Sequence, residues 1–228
     1  LEGPESELGM VTARALGRLG DPAGIPALRC ALHARYDLIA AESARALGHL
    51  GDTEAISDLV AKLHDETHIQ LKVAYAAALG ELRAAKVIPD LFALLKQADT
   101  KTVQGELGLA VARIAGNEKY YLQQWRAMHN NFETTAAQLV MTLQRHARRA
   151  GFSDVEPLLE RCANSFGTAD WKDGVACLEQ IAAQMNANHA HEILQDIMTR
   201  CATLLTGRDD MRVDLILLML QALDAMWG

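Results

Sequence analysis

Two histidine clusters come closest, by residue type and spacing, to metal or acid–base chemistry. His64 and His68 stand four residues apart, a spacing that places two imidazoles on one face of a continuous helix. A zinc hydrolase site of this form also needs a glutamate directly after the first histidine, to act as general base. Asp65 occupies that position here, and the segment links two predicted helices. We therefore interpret it as a solvated loop.

The second cluster, formed by His189, His191 and Glu192, could supply metal ligands at the start of a helix. It occurs once and lies outside the repeated part of the chain. We therefore interpret it as a surface cluster at a helix start. The sequence predicts no catalytic residue, no metal site and no cofactor.

The four cysteines lack the spacing of a metal or redox site. None forms a Cys-x-x-Cys pair, and none lies at zinc-finger spacing from a histidine. Each stands among apolar helix-forming residues, where a free cysteine behaves as a small hydrophobic side chain. We predict buried, reduced thiols and a cytoplasmic compartment. The residues are Cys30, Cys162, Cys177 and Cys201.

The elements that carry these residues follow an internal repeat. Residues 13–21 read Ala-Arg-Ala-Leu-Gly-Arg-Leu-Gly-Asp and return, with a single change, 31 residues later. Weaker copies follow after two further steps of 32 residues. After each of the first three copies, apolar residues at i, i+3 and i+7 predict a second helix. Each unit is therefore predicted to be two helices of about three turns. The second-helix positions are Ile25, Leu28, Leu32; Ile56, Leu59, Leu63; and Ile88, Leu91, Leu95.

The first helix of each unit carries its own stripe of residues on one face, and a glycine marks its C-terminal end. In the first unit we expect the stripe to face the core, and its residues are Leu8, Thr12, Ala15, Leu16 and Leu19. Gly20 and Gly51 are predicted to end the first helices in a left-handed conformation. Asp21 and Asp52 should then cap the second helices, with Pro22 in the first turn. The recurring glycines at positions 17, 48 and 80 suggest helix packing that admits no Cβ.

The motif Leu-Gly-x-Leu-Gly-Asp followed by Ile-Pro-x-Leu, as in residues 16–28, resembles the short HEAT-like repeats of the phycobilisome-lyase (E–Z) type. The resemblance covers about residues 6–116. It implies an all-α fold, an α-solenoid (superhelix) of short two-helix repeats. Such repeats occur in enzymes, chaperones and scaffolds, so the resemblance leaves the function open.

Beyond residue 116 the repeat loosens. We predict about four two-helix HEAT-like units within residues 1–130, and diverged repeats or a capping helical bundle within residues 131–228. The longest apolar run, residues 215–220, is too short to span a membrane. Because the chain begins without Met and ends just after an apolar helix, we expect it to be part of a longer protein. The later helices are predicted at about residues 131–149, 154–165, 169–185, 187–205 and 209–226.

The charge pattern argues against nucleic acid as a partner. The net charge is −7, whereas a nucleic-acid binder normally shows a basic surface. The one basic cluster, residues 145–149, lies near a predicted helix C-terminus, where cations stabilise the helix dipole. The residues that follow each Leu-Gly step or its equivalent also alternate in sign, so they form no phosphate track. They are Arg18, His49, Glu81 and Arg113.

These observations favour a non-catalytic protein–protein interaction scaffold that belongs to a larger protein or assembly. The predicted surface is the groove formed by successive second helices, which is mixed in charge and suits a polar peptide or protein of unknown identity. Its candidate binding residues are Asp58, Lys62, Asp90, Lys96 and Trp125.

The resemblance also implies two alternatives. A tetrapyrrole (bilin) lyase or chaperone-like enzyme would need a large cavity, which the aromatic side chains could line. HEAT-like DNA glycosylases make nucleic-acid binding the second alternative. In the HEAT-repeat deoxyhypusine hydroxylases, several His-Glu pairs hold two irons, but this chain has one such pair. The candidate cavity residues are Tyr120, Tyr121, Trp125 and Trp171.

Overall fold

A computed structural model describes residues 4–116, 118–185 and 192–227, with the side chains of residues 4, 119 and 120 left out. Across these residues the chain forms thirteen α-helices and no β-strand, which confirms the all-α class. The chain divides into two compact units, residues 1–114 and 115–228. None of the described helices is both long and apolar enough to cross a bilayer.

The first unit has the two-helix repeats of an α-solenoid. First helices alternate along the chain with shorter second helices, and short 3-10 turns precede each of the second helices. The first helices are α1 (Pro4–Leu19), α3 (Asp37–His49), α5 (Ile69–Glu81) and α7 (Lys101–Ala115), and the second helices are α2 (Ile25–Leu32), α4 (Ile56–Asp65) and α6 (Ile88–Gln97).

The first helices approach one another at the recurring glycines. A Cβ added to Gly17 would lie 2.8 Å from the Cβ of Ala46, and one added to Gly48 would lie 2.8 Å from the Cα of Ala78. Such distances leave no room for a side chain, so the predicted close packing is confirmed. The second-helix leucines that the period places in the core are fully buried, among them Leu28, Leu59 and Leu91.

The stripe expected on the inner face of α1 is partly wrong. Leu8 is 69% exposed and Leu19 is 75% exposed, whereas Leu47, on the next first helix, is fully buried. The buried residues of α1 include Ser6 and Ala13, and Gly17 packs against Ala46 of α3. Leu8 and Leu19 lie on the opposite side, where no earlier repeat among the described residues covers them.

The predicted joints, which are the turns between first and second helices, are confirmed in their backbone conformation and in one of the two predicted caps. Gly20 and Gly51 have φ angles of 72° and 73°, in the left-handed region. The Asp21 carboxylate accepts a hydrogen bond from the backbone N–H of Ala23 at 2.9 Å. Asp52 occupies the same position but makes no such cap, because an arginine uses its carboxylate, as described below.

The second unit contains the longer helices predicted beyond residue 130, and α8 before them. Each predicted helix is present within a few residues of its expected bounds, and residues 186–191, at the predicted start of one of them, lie outside the described part. The helices are α8 (Glu118–Asn130), α9 (Phe132–Ala150), α10 (Glu156–Gly167), α11 (Trp171–Gln184), α12 (Glu192–Leu205) and α13 (Arg212–Trp227).

The link between α9 and α10 repeats the joint of the first unit. Gly151 ends α9 with a φ of 83°, a 3-10 turn follows at Ser153–Val155, and Pro157 lies in the first turn of α10. Arg148 and Arg149 lie in the last turn of α9, which confirms the predicted end of that helix. Phe132 and Phe166 pack edge to face between the two helices, with ring centroids 5.8 Å apart.

Candidate protein-interaction surface

Acids and histidines meet in the same register on successive second helices. His33 Nε2, at the end of α2, lies 3.4 Å from Asp58 Oδ2 on α4. His64 Nε2, at the end of α4, lies 3.2 Å from Asp90 Oδ1 on α6. The repeat generates this pairing, because each histidine stands at the C-terminal end of a second helix and each aspartate lies in the first turn of the next one.

We call this surface the second-helix face and define it as the polar side chains of α2, α4 and α6 at these positions. Lys96 occupies the position on α6 that His33 and His64 hold on the earlier helices. Lys62 lies one turn after Asp58 on α4 and is half-buried. The face thus carries both signs of charge. Its residues are His33, Asp58, Lys62, His64, Asp90 and Lys96.

The segment around His64 is helical where we predicted a loop. Helix α4 continues to Asp65, and the break is confined to residues 66–68. There the Glu66 carboxylate accepts hydrogen bonds from the backbone N–H groups of Thr67 and His68, at 2.7 and 2.8 Å. His64 and His68 therefore belong to different elements. The described residues contain no group of three or more potential metal ligands, and His189 and His191 lie outside them.

A half-exposed arginine, which no sequence motif singles out, connects α2 to the following joint. Arg29 Nε and Nη2 donate to the two carboxylate oxygens of Asp52 at 2.7 and 2.5 Å, and Nη1 donates to Glu54 at 2.7 Å. Hydrogen bonding to Asp52, and then to Glu54, raises the pKa of Arg29 above its ordinary value. Asp52 is only 6% exposed, so its carboxylate fastens two repeats together and does not cap a helix.

The first helices form a separate cleft of about 230 Å³. We call it the arginine cleft. Its floor is the contact between Gly17 and Ala46, and its polar lining consists of Arg14, Arg18, Glu42, Arg45, His49 and Glu81. Arg18, His49 and Glu81 are the residues that follow the Leu-Gly step in three successive first helices. The i, i+4 partners Arg14 and Arg45 were the signal that would have completed the set.

Glu42 is the acidic centre of the arginine cleft. Arg14 Nε and Nη2 donate to its two carboxylate oxygens at 3.1 and 3.0 Å. These hydrogen bonds lower the pKa of Glu42, and the charges of Arg45 and Arg18 lower it further. The carboxylate is therefore ionised at neutral pH, and it shares the cleft with three arginines.

Trp125 belongs to the second unit and already has a partner there. Its indole Nε1–H donates to Asp214 Oδ1 at 2.6 Å, and Asp214 is only 3% exposed. His129 stacks on the indole with ring centroids 4.0 Å apart, and its Nε2 lies 3.7 Å from Asp214 Oδ2. The indole thus joins α8 to α13, and its part in binding stays a prediction.

Of the aromatic residues that we expected around one tetrapyrrole cavity, Trp171 and Tyr121 line different ones, and the side chain of Tyr120 lies outside the described part of the chain. Trp171 borders an open cavity of about 610 Å³ between α11 and α12, together with Lys172. Tyr121 borders a cavity of about 250 Å³, where His146 Nδ1 lies 2.5 Å from Asp224 Oδ1.

The thiols agree with the sequence prediction at three of four positions. Cys162, Cys177 and Cys201 are buried, and all four cysteines are free. Burial raises the pKa of each of these three thiols, so they remain protonated. Cys30 is exposed, and the prediction of a buried thiol is wrong there because it lies on the outer side of α2.

Comparison with known proteins identifies the repeat. Residues 12–33 and 39–65 match the family described as the PBS lyase HEAT-like repeat. The two matched segments contain the second half of α1, most of α3 and all of α2 and α4, so the resemblance inferred from the Leu-Gly and Ile-Pro motifs is confirmed there. No curated protein and no solved structure matches the chain. The matched repeats and the helical structure together indicate a helical repeat scaffold.

Proposed function

We propose that the chain is a non-catalytic protein–protein interaction scaffold and that the second-helix face binds a polar segment of a partner protein. The observation that carries the proposal is the paired His–Asp register on α2, α4 and α6. A repeat that sets exposed charges at a fixed step offers a partner several anchoring points on one rigid surface. Candidate binding residues are Asp58, Lys62, Asp90 and Lys96, with Trp125 as a candidate on the second unit.

The mixed signs of the face support a protein over a nucleic acid. Asp58 and Asp90 would repel a phosphate backbone, whereas a polypeptide can offer a cation to each aspartate and a carboxylate to each lysine.

We also propose that residues 131–228 are diverged repeats, supported by the Gly151 joint. Four free cysteines support a reducing, cytoplasmic setting.

Charge reversal at the aspartates tests the scaffold proposal. The tagged chain is used to capture proteins from a cell extract at about 150 mM salt, and captured proteins are identified by mass spectrometry. We expect the Asp58→Lys/Asp90→Lys double variant to recover several-fold less of the principal partner, because both anchoring charges change sign.

The matched control is Glu133→Lys/Asp154→Lys. Glu133 lies in the first turn of α9 and Asp154 in the 3-10 turn before α10, so the control imposes a similar penalty at helix starts and the same change in net charge. Equal recovery by all three proteins would remove the second-helix face from the proposal. A wild-type chain that captures no protein would contradict the scaffold function itself.

A second candidate, a tetrapyrrole lyase or chaperone, is favoured by the cavity beside Trp171, where Lys172 could pair with a propionate. Titration with a free bilin tests it by visible absorption. A shifted, saturable band that Trp171→Ala abolishes would support this candidate. An unchanged bilin spectrum would reject it.

A further inference from the structure

The arginine cleft holds more positive charge than its own acids neutralise. The Arg14 guanidinium forms a two-point ion pair with the Glu42 carboxylate. Glu81, at the far side, pairs with Arg113 Nη1 at 3.3 Å. Arg18 and Arg45 are both exposed, and neither donates a hydrogen bond to any other described residue. Two guanidinium groups therefore face the cleft with their donors unused.

These two arginines are arranged to act on one group. Arg18 lies one turn after Arg14 on α1, and Arg45 lies on α3, across the floor made by Gly17 and Ala46. Both line the same cleft as Glu42, and their charges lower the pKa of that carboxylate. A second carboxylate entering the cleft would meet two planar fork-shaped donors, which match its geometry.

The size and borders of the cleft select the partner. Its volume of about 230 Å³ suits one or two side chains. Glu42 and Glu81 stand along its length and interrupt the positive charge, so a continuous phosphate backbone would be repelled at both. A peptide can place carboxylates beside Arg18 and Arg45 and leave neutral residues opposite the two glutamates.

We propose that the arginine cleft is a second binding site on this chain, which accepts an Asp/Glu-rich peptide segment through Arg18 and Arg45. The site lies on the first helices and is therefore independent of the second-helix face. Its occupant is acidic, whereas the other face takes a segment of mixed charge.

Fluorescence anisotropy of a short labelled Glu/Gly peptide, titrated with the full chain at about 150 mM salt, tests the proposal. We expect Arg18→Gln/Arg45→Gln to weaken binding by tenfold or more, because two charge-assisted hydrogen-bonding groups are lost. Glu42→Gln should strengthen binding by about threefold, because a repelling carboxylate is removed and Arg14 is released. Thermal melts by circular dichroism check that each variant is folded.

The matched control is Arg145→Gln/Arg149→Gln, which removes the same charge from two exposed arginines of α9. Unchanged binding there, with loss in the cleft variant, supports the proposal. Equal loss in both pairs would show nonspecific attraction and overturn it, as would a wild-type chain that does not bind the peptide. Tighter binding of a phosphopeptide or of duplex DNA would replace the carboxylate as the ligand.

The Asp58→Lys/Asp90→Lys variant separates the two proposals. It should bind the acidic peptide as well as the wild type does, even if it loses the partner of the second-helix face. A failure of either site therefore leaves the other open to its own test.

Discussion

Arg83 occupies a backbone position that the two preceding repeats fill with glycine. Its φ is 52°, compared with 72° at Gly20 and 73° at Gly51. A side chain in this left-handed region clashes with its own backbone and costs about 1 kcal/mol. We expect Arg83→Gly to raise the free energy of unfolding by about 0.5–1 kcal/mol, measured by urea denaturation, because relief of strain exceeds the added entropy of the unfolded glycine.

Gly51→Ala is the reverse experiment. A Cβ at Gly51 would meet no atom within 4 Å, so steric contact with neighbouring residues contributes nothing to any loss. We expect it to lower the free energy of unfolding by about 1 kcal/mol. If Arg83→Gly destabilises the chain, the Arg83 side chain has a stabilising role that outweighs its strain.

The cysteines differ in reactivity because they differ in burial. Cys30 is exposed, whereas Cys162, Cys177 and Cys201 are buried, with thiol pKa values raised by that burial. Since the thiolate is the reacting form, a thiol-specific chromogenic disulfide should modify one cysteine per native chain rapidly and the other three only after denaturation. Cys30→Ser should abolish the rapid phase. A rapid phase that survives this change would mean that a buried cysteine is accessible in solution.

Pairs of first helices depend on glycine where their backbones meet. A Cβ on Gly80 would lie 2.7 Å from the Cα of Ala110 and 3.0 Å from its carbonyl oxygen, and backbone atoms cannot move aside as a side chain can. We expect Gly80→Ala to lower the free energy of unfolding by about 1–3 kcal/mol, although alanine is the better helix former by about 1 kcal/mol.

Gly105→Ala makes the same chemical change in α7, where the new Cβ would meet nothing within 4 Å. There the gain in helix propensity should dominate, and stability should rise by up to about 1 kcal/mol. Chemical denaturation of both variants shows whether the change in the free energy of unfolding has opposite signs at the two positions. A loss of similar size at both positions would show that glycine serves the helices for a reason other than close approach.

The elements that sequence could predict are those that the period dictates. Helix pairs, buried leucines such as Leu59 and the close glycines all follow from residue types at a fixed step, since each repeat contacts its neighbours in the same way. Side-chain partnerships do not follow from the period. Arg29 reaches Asp52 because of how one joint turns, and Trp125 reaches Asp214 across 89 residues. No local pattern encodes either contact.

For the candidate site, the sequence supplied the residues but not their pairing. Asp58 and Asp90 were predicted on one groove from their repeat positions. Their contacts with His33 and His64 depend on the spacing between α2, α4 and α6, which the three-dimensional structure supplies. The arginine cleft was missed because its positive charge is local, whereas the sequence as a whole has a net charge of −7.

Across the whole molecule, half of the residues are hydrophobic, and burial divides them into those that hold the fold and those that do not. Leu47 is fully buried, whereas Leu8 and Leu19 on α1 are 69% and 75% exposed. We expect Leu47→Ala to lower the free energy of unfolding by about 2–5 kcal/mol, through lost burial and a residual cavity. The Leu8→Ser/Leu19→Ser double variant should change it by less than about 0.5 kcal/mol.

Denaturant titration at two protein concentrations distinguishes the possible results. The Leu8→Ser/Leu19→Ser variant could lose as much stability as Leu47→Ala at the higher concentration and little at the lower one. That result would show that another chain covers α1 in solution, because association stabilises the folded form by mass action. Loss of stability at both concentrations would instead place Leu8 and Leu19 in the core and contradict the position of α1. A small effect at both concentrations is expected, since each exposed leucine gains little from folding and loses little when it is replaced.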